Sequence, residues 1–228
     1  ALATRSFGGV QVSRTYYTRG QTGQQLQLST ASALQRQIHL GNVEIFTHND
    51  LQDFIITEHD GVKRARGIVT RNLVNGELQT FRGHAVVLAT GGYGNVYGMT
   101  TLAINSNSSG MMRAYERGAY LASPAFIQFH PTGLPINADW QSKTILMSES
   151  LRNDGRIWSP VTEGDDRDPN DIPEDERDYF LERRYPAFGN LVPRDVASRA
   201  ITQQLEKNLG VGPNHNSVYL DFRDAIQR

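Results

Sequence analysis

Two tight-turn signals ahead of an apolar run constrain this chain more than anything else in it. Asp60-Gly61 and Asn75-Gly76 both supply the positive φ angles that two-residue β-hairpin turns require. Around them lie three strand-like segments: Phe54-Ile55-Ile56-Thr57, Ala65 to Thr70, and Leu78 to Phe81. Together they predict an antiparallel β-meander. Ala85-Val86-Val87-Leu88-Ala89-Thr90 then runs almost without a polar residue, which predicts a strand of a parallel sheet covered on both faces. The fold class that accommodates both is α/β. The run ends in Gly91-Gly92, at the carboxyl end of the expected strand. Ligands bind at that edge in doubly wound sheets, and paired glycines let backbone N–H groups approach a cofactor. By itself the turn reads equally well as a glycine-rich strand-to-loop connection.

Elsewhere the pattern is simpler. Arg5-Ser6-Phe7-Gly8-Gly9 through Gly23 reads as an ordered loop. Ala31, Leu34 and Ile38, with Leu26 ahead of them, predict a helix from about Gln24 to Leu40, ended by Gly41-Asn42. Val43 to Thr47 reads as a short strand and Asn107 to Ala119 as a helix. Beyond Pro124 the character changes to loops and short apolar pieces. A last helix is expected from Asp195 to Leu209 and a last strand at Val218 to Asp221. The shift divides the chain into residues 1–125 and 126–228.

Composition excludes several classes of chemistry. Cysteine is absent, so this sequence holds no disulfide, no thiol nucleophile and no thiolate ligand for an iron–sulfur cluster. No apolar run reaches the roughly 18 residues of a membrane span, and no spacing of side chains suggests a metal. The net charge is −1, yet nine acidic residues against Arg167 and Arg177 crowd into 161–180. That stretch reads as a solvated loop. It leaves the remainder mildly basic, which suits anionic ligands, and no aromatic-interleaved basic patch points to nucleic acid.

Three further motifs carry candidate chemistry. His130 lies in Phe129-His130-Pro131-Thr132-Gly133, where Pro131 and Gly133 fix the backbone beside the imidazole. Ser148-Glu149-Ser150-Leu151-Arg152 places a carboxylate and a guanidinium three residues apart, on one face of a helical turn. Arg194, between Pro193 and Asp195, sits at an expected helix start. Taken singly, each has an ordinary alternative: a structural histidine, a local ion pair, a surface arginine beside a helix start.

In this order, Ala89-Thr90-Gly91-Gly92, Gln128-Phe129-His130-Pro131-Thr132-Gly133, Ser148-Glu149-x-x-Arg152 and Pro193-Arg194-Asp195 resemble the flavoprotein subunit of succinate dehydrogenase and fumarate reductase. The resemblance implies a two-dinucleotide-type FAD-binding domain with a β-meander over 1–125 and an α+β capping domain over 126–228. It implies FAD as cofactor, with Ala89, Thr90, Gly91 and Gly92 against the flavin nucleotide. His130 and Ser148 would hold the dicarboxylate substrate. Arg194 would be the catalytic acid/base, and Glu149 and Arg152 its proton relay. The implied reaction interconverts succinate and fumarate, as in the tricarboxylic acid cycle and electron transport. Electrons would pass to an iron–sulfur subunit and a membrane anchor at the cytoplasmic face of the inner membrane.

The pattern also departs from the family. Ser109 stands where an acid near the flavin is usual, and Ser150, Leu151 and Asn153 replace smaller or different residues. The nucleotide fingerprint is expected upstream of Ala1, and a second substrate-binding histidine and arginine downstream of Arg228. An L-aspartate oxidase-like flavoenzyme, or an inactive binding or assembly piece of the same fold, are the alternative readings.

Overall fold

The computed structural model describes residues 3–136 and 145–226. In place of the expected opening loop, β1 (Ala3–Phe7) pairs antiparallel with β2 (Val10–Tyr17) across a Gly8-Gly9 turn. Gly9 takes φ +76° there, a left-handed angle that glycine adopts without cost. Helix α1 (Thr22–His39) follows, and Gly41 at φ +73° stops it while its N–H donates to the Ile38 carbonyl. No residue of α1 is buried. Residues 43–47 pair with no strand, so the short strand expected there does not form among the described residues. Phe46 instead packs its ring on Phe81, centroids 4.4 Å apart.

The meander is present and longer than its apolar centres. Strands β3 (Asn49–His59), β4 (Val62–Asn72) and β5 (Leu78–Arg82) form one antiparallel sheet in that order. Asp60 and Gly61 take φ of 52° and 72°, and His59 pairs with Val62 in the two-residue hairpin that they predict. The second connection differs. It spans residues 73–77, only Gly76 has positive φ, and the loop closes through Asn72 N–H to the Glu77 carbonyl at 2.8 Å. Helix α2 (Ser109–Glu116) lies against β3, and Arg117 just beyond it grips Asp53 through both carboxylate oxygens. That pairing holds the Asp53 carboxyl at about 2.

The segment 85–90 does not join a sheet. Val87 is 88 % exposed, and no strand among the described residues lies beside it. On α2, Gly110 backs onto Leu88 and Thr90. A strand buried on both faces needs paired strands beside it and cover on each face, and no strand among the described residues pairs with this segment.

In the later part, β6 (Gly133–Leu134) pairs with β7 (Ile145–Leu146), and α3 (Leu151–Asp154) leads into β8 (Arg156–Pro160). After β9 (Arg177–Asp178) come α4 (Phe180–Arg184), α5 (Arg194–Leu205), β10 (Tyr219–Asp221) and α6 (Arg223–Ile226). The sheet order is β10–β8–β9. Ile157 from the sheet, Phe180 and Leu181 from α4, Val192, and Ala197 and Ala200 from α5 form its core. Alanines three apart on α5 join this core, and α5 packs against α4, which contacts β8.

The acidic stretch is fastened rather than merely solvated. Ile172 is fully buried. Arg177, 7 % exposed, lies over the Trp158 ring and donates to the carbonyls of Pro169 and Ile172. Arg167 bridges Asp165 and Glu176.

Residues 3–22 and 127–226 make one compact unit and residues 23–126 another. The N-terminal hairpin thus belongs with the later residues, not with those that follow it directly.

Candidate active site

Backbone bonds from Leu151 N to Ser148 O, Arg152 N to Glu149 O and Asn153 N to Ser150 O, each 3.0 Å, wind residues 148–153 into a helical turn. Residues three apart on such a turn face the same way, so Glu149 and Arg152 meet. Arg152 Nη2 donates to Glu149 Oε1 at 2.6 Å, and Arg194 Nε donates to Glu149 Oε2 at 2.6 Å. One carboxylate therefore joins two guanidiniums. Glu149 is 4 % and Arg152 1 % exposed. Buried charges of this kind persist only when paired and hydrogen-bonded.

Arg152 has further partners: its Nη1 donates to the carbonyls of Asn190 at 2.8 Å and Val192 at 3.1 Å. Those carbonyls precede Pro193, so Arg152 also fixes the chain entering α5, of which Arg194 is the first residue. Asn190 itself donates to Glu182 and accepts from the Ile157 N–H. Burial pushes the Arg152 guanidinium down, the Glu149 carboxylate opposes that, and the Arg194 charge adds to it. A polar cavity of about 410 Å³, walled by Arg152, Asp154, Arg156, Glu182, Asn190 and Asp224, lies on this side of the pair.

On the other side, Arg194 Nη1 donates to Gln128 Oε1 at 2.9 Å. Its Nη2 makes no hydrogen bond among the described residues. His130 lies close enough that burial first, then the Arg194 charge, lowers its pKa, with Glu149 opposing. The Thr132 N–H donates to His130 Nδ1 at 3.2 Å, which leaves the ring proton on Nε2, free to donate. Thr132 Oγ1 is buried with no partner among the described residues. A hydrogen bond from Met147 N to Thr132 O at 2.9 Å, and the β6–β7 pair, tie this loop to the one that carries Ser148. Ser148 Oγ is occupied locally: it lies 2.7 Å from Ser150 Oγ and accepts from the Ser150 N–H.

The fold thus assembles His130, Glu149, Arg152 and Arg194 into one cluster. Gln128 and Asn190 join it without having been assigned a role from sequence. Gln128 sits inside the motif that led to His130, so its position was a signal, whereas Asn190 acts through its carbonyl, which no side-chain pattern reveals.

Comparison with known proteins bears on what such a cluster serves. Residues 1–228 match the FAD binding domain family. The chain belongs to that family. Curated proteins similar to it include the succinate dehydrogenase flavoprotein subunit of Bacillus subtilis (strain 168), 38 % identical over 223 residues, covering 97 % of this chain and 35 % of that protein. The fumarate reductase flavoprotein subunit of Helicobacter pylori is 33 % identical over 227 residues, covering 97 % and 27 %. Among solved structures, the E. coli quinol fumarate reductase FrdA E245Q variant superposes with a TM-score of 0.72 at 27 % identity, over 97 % of this chain and 35 % of that one. The chain spans about a third of the length of these relatives.

FAD is the cofactor of this FAD binding domain family, and the residues singled out for it have the form such a ligand needs. Ala89, Thr90, Gly91 and Gly92 are exposed, and Gly91 turns the chain at φ +78°. Their backbone is therefore open to close approach. At Ser109 the backbone N–H donates to Asn107 Oδ1 at 3.2 Å.

Proposed function

We infer that this chain forms the acid/base and substrate-holding part of a flavoprotein subunit that interconverts succinate and fumarate. The observation that carries this reading is the Arg152–Glu149–Arg194 chain, buried at one end and part-exposed at the other. A surface arginine beside a helix start has no need of a nearly buried carboxylate shared with a second arginine.

In this reading Arg194 gives or takes the proton on the carbon next to the one that exchanges a hydride. Arginine ordinarily stays protonated, with a pKa above about 12. Proton loss from Arg194 is brief because the Glu149 carboxylate lies 2.6 Å from its Nε and can return a proton from Arg152. Gln128 holds the guanidinium plane, and the unpaired Nη2 is left for substrate. His130 donates from Nε2 to one substrate carboxylate. Ser148 supplies a hydroxyl once released from Ser150. FAD, when bound, supplies the hydride acceptor or donor, with Ala89, Thr90, Gly91 and Gly92 against its nucleotide. Residues 23–126 would then be part of the FAD-binding domain, and 127–226 most of a capping domain.

Electrons pass onward to an iron–sulfur subunit and a membrane anchor, which would place the protein at the cytoplasmic face of the inner membrane. A chain without cysteine agrees with clusters held by a partner. Among the described residues no helix is long and apolar enough to cross a membrane. The test is flavin reduction in the holoenzyme by succinate against L-aspartate. Reduction by succinate alone is expected; reduction by aspartate alone would replace this reading with the oxidase.

A further inference from the structure

We propose that the Gly8-Gly9 turn is a positioning element of the proton relay, and that Gly8 is glycine because Glu149 occupies the space of its missing side chain. The proposal rests on the catalytic reading of Arg194 above. A Cβ built on Gly8 would overlap Glu149 Oε1 and lie 3.3 Å from Glu149 Cδ and 3.2 Å from Arg152 Nη2. Gly8 does not have a positive φ, whereas Gly9 does. The backbone at position 8 would therefore accept alanine, and the constraint is space, not conformation.

The turn is held where this matters. Gly9 N–H donates to the Leu191 carbonyl at 2.7 Å, and a Cβ on Gly9 would come within 3.1 Å of Pro193 Cγ. Asn153 Nδ2 donates to the Ser6 carbonyl at 3.0 Å, and Arg5 pairs with Asp154 at 3.2 Å. The hairpin thus grips both segments that carry the relay, the 148–154 turn and the 190–194 approach to α5. Its main chain lies directly over the carboxylate and contributes to keeping Glu149 at 4 % exposure. With water excluded, the two oxygens of Glu149 keep one guanidinium each.

The experiment is Gly8→Ala in the holoenzyme, measured beside Arg194→Lys. Displacing a relay group by about 1 Å can cost about 10²-fold. The expected result is a kcat for succinate lowered about 10- to 100-fold, with KM within about threefold and flavin content unchanged. The solvent deuterium isotope effect on kcat should rise, because proton passage becomes limiting. In a Glu149→Asp background, whose shorter side chain vacates the space, Gly8→Ala should cost little more; this non-additivity is what direct contact predicts. Fully additive losses would overturn the proposal, as would unchanged kcat in Gly8→Ala when Arg194→Lys is crippled. If both variants retain normal kcat, the catalytic reading and this proposal fail together. If Gly8→Ala loses its flavin, recovery of flavin in Gly8→Ala/Glu149→Ala supports the steric conflict with Glu149, and no recovery refutes it.

Discussion

Replacing Arg194 by lysine keeps the charge and removes the geometry, so it separates a helix-start arginine from an acid/base. The guanidinium donates from Nε to Glu149 at 2.6 Å and from Nη1 to Gln128 at 2.9 Å. A lysine ammonium is a compact donor on a flexible stem and cannot reproduce that planar fork. If it keeps Glu149, it forfeits Gln128 and the alignment that leaves an N–H for substrate. A hydrogen bond to or from a charged group contributes about 1.5–3 kcal/mol. At about 1.4 kcal/mol per decade, the loss of that one bond alone lowers turnover roughly 10- to 150-fold. Loss of a positioned general acid or base costs about 10²–10⁴-fold. Turnover in Arg194→Lys should therefore fall at least about 100-fold. The assay is succinate oxidation with an artificial electron acceptor, with flavin content read from the same preparation. Near-normal turnover with full flavin would refute the acid/base assignment and leave Arg194 as a structural residue.

His130→Ala should raise the KM for succinate about 10-fold or more, by removing one donor to a charged carboxylate. Because burial and the Arg194 charge hold the His130 pKa below 6.5, kcat/KM of the free enzyme should show no His130-dependent inflection at or above that pH; one that disappears in His130→Ala would contradict a neutral Nε2–H donor. Arg152→Leu should lower thermal stability as well as turnover, since it orphans the Asn190 and Val192 carbonyls and leaves Glu149 buried with one partner. Breaking a buried pair costs about 3–5 kcal/mol, so an unchanged melting temperature would show that the site relaxes around the loss.

Local chemistry made the middle of this chain readable and long-range packing hid the rest. Asp60-Gly61 specifies its hairpin through two φ angles, and the helical spacing of Leu26, Ala31, Leu34 and Ile38 needs no partner to be recognised. Ser148-Glu149-x-x-Arg152 likewise announces a contact within one turn. That Arg194 would close on the other oxygen of Glu149 depends on bringing together residues 45 positions apart, which no local spacing encodes. The apolar run at 85–90 was misread for a related reason. Its composition reports what a strand would bury against, and among the described residues no strand pairs with it. The opening hairpin was missed because Gly8-Gly9 between β-rich segments is also what a loop contains. The choice is made by distant partners: the Ser6 carbonyl accepts from Asn153, and the Gly9 N–H donates to the Leu191 carbonyl.

The acidic stretch has a bearing on how such a chain can change over generations. Ile172 is wholly enclosed, and Arg177, stacked on the Trp158 indole, clasps its carbonyl and that of Pro169. Trimming the stretch by a residue or two would withdraw either the plug or the clasp and uncover a tryptophan that is 2 % exposed. A lineage can therefore inherit this segment whole or discard it together with its arginine and its isoleucine, but has little room to shorten it by degrees.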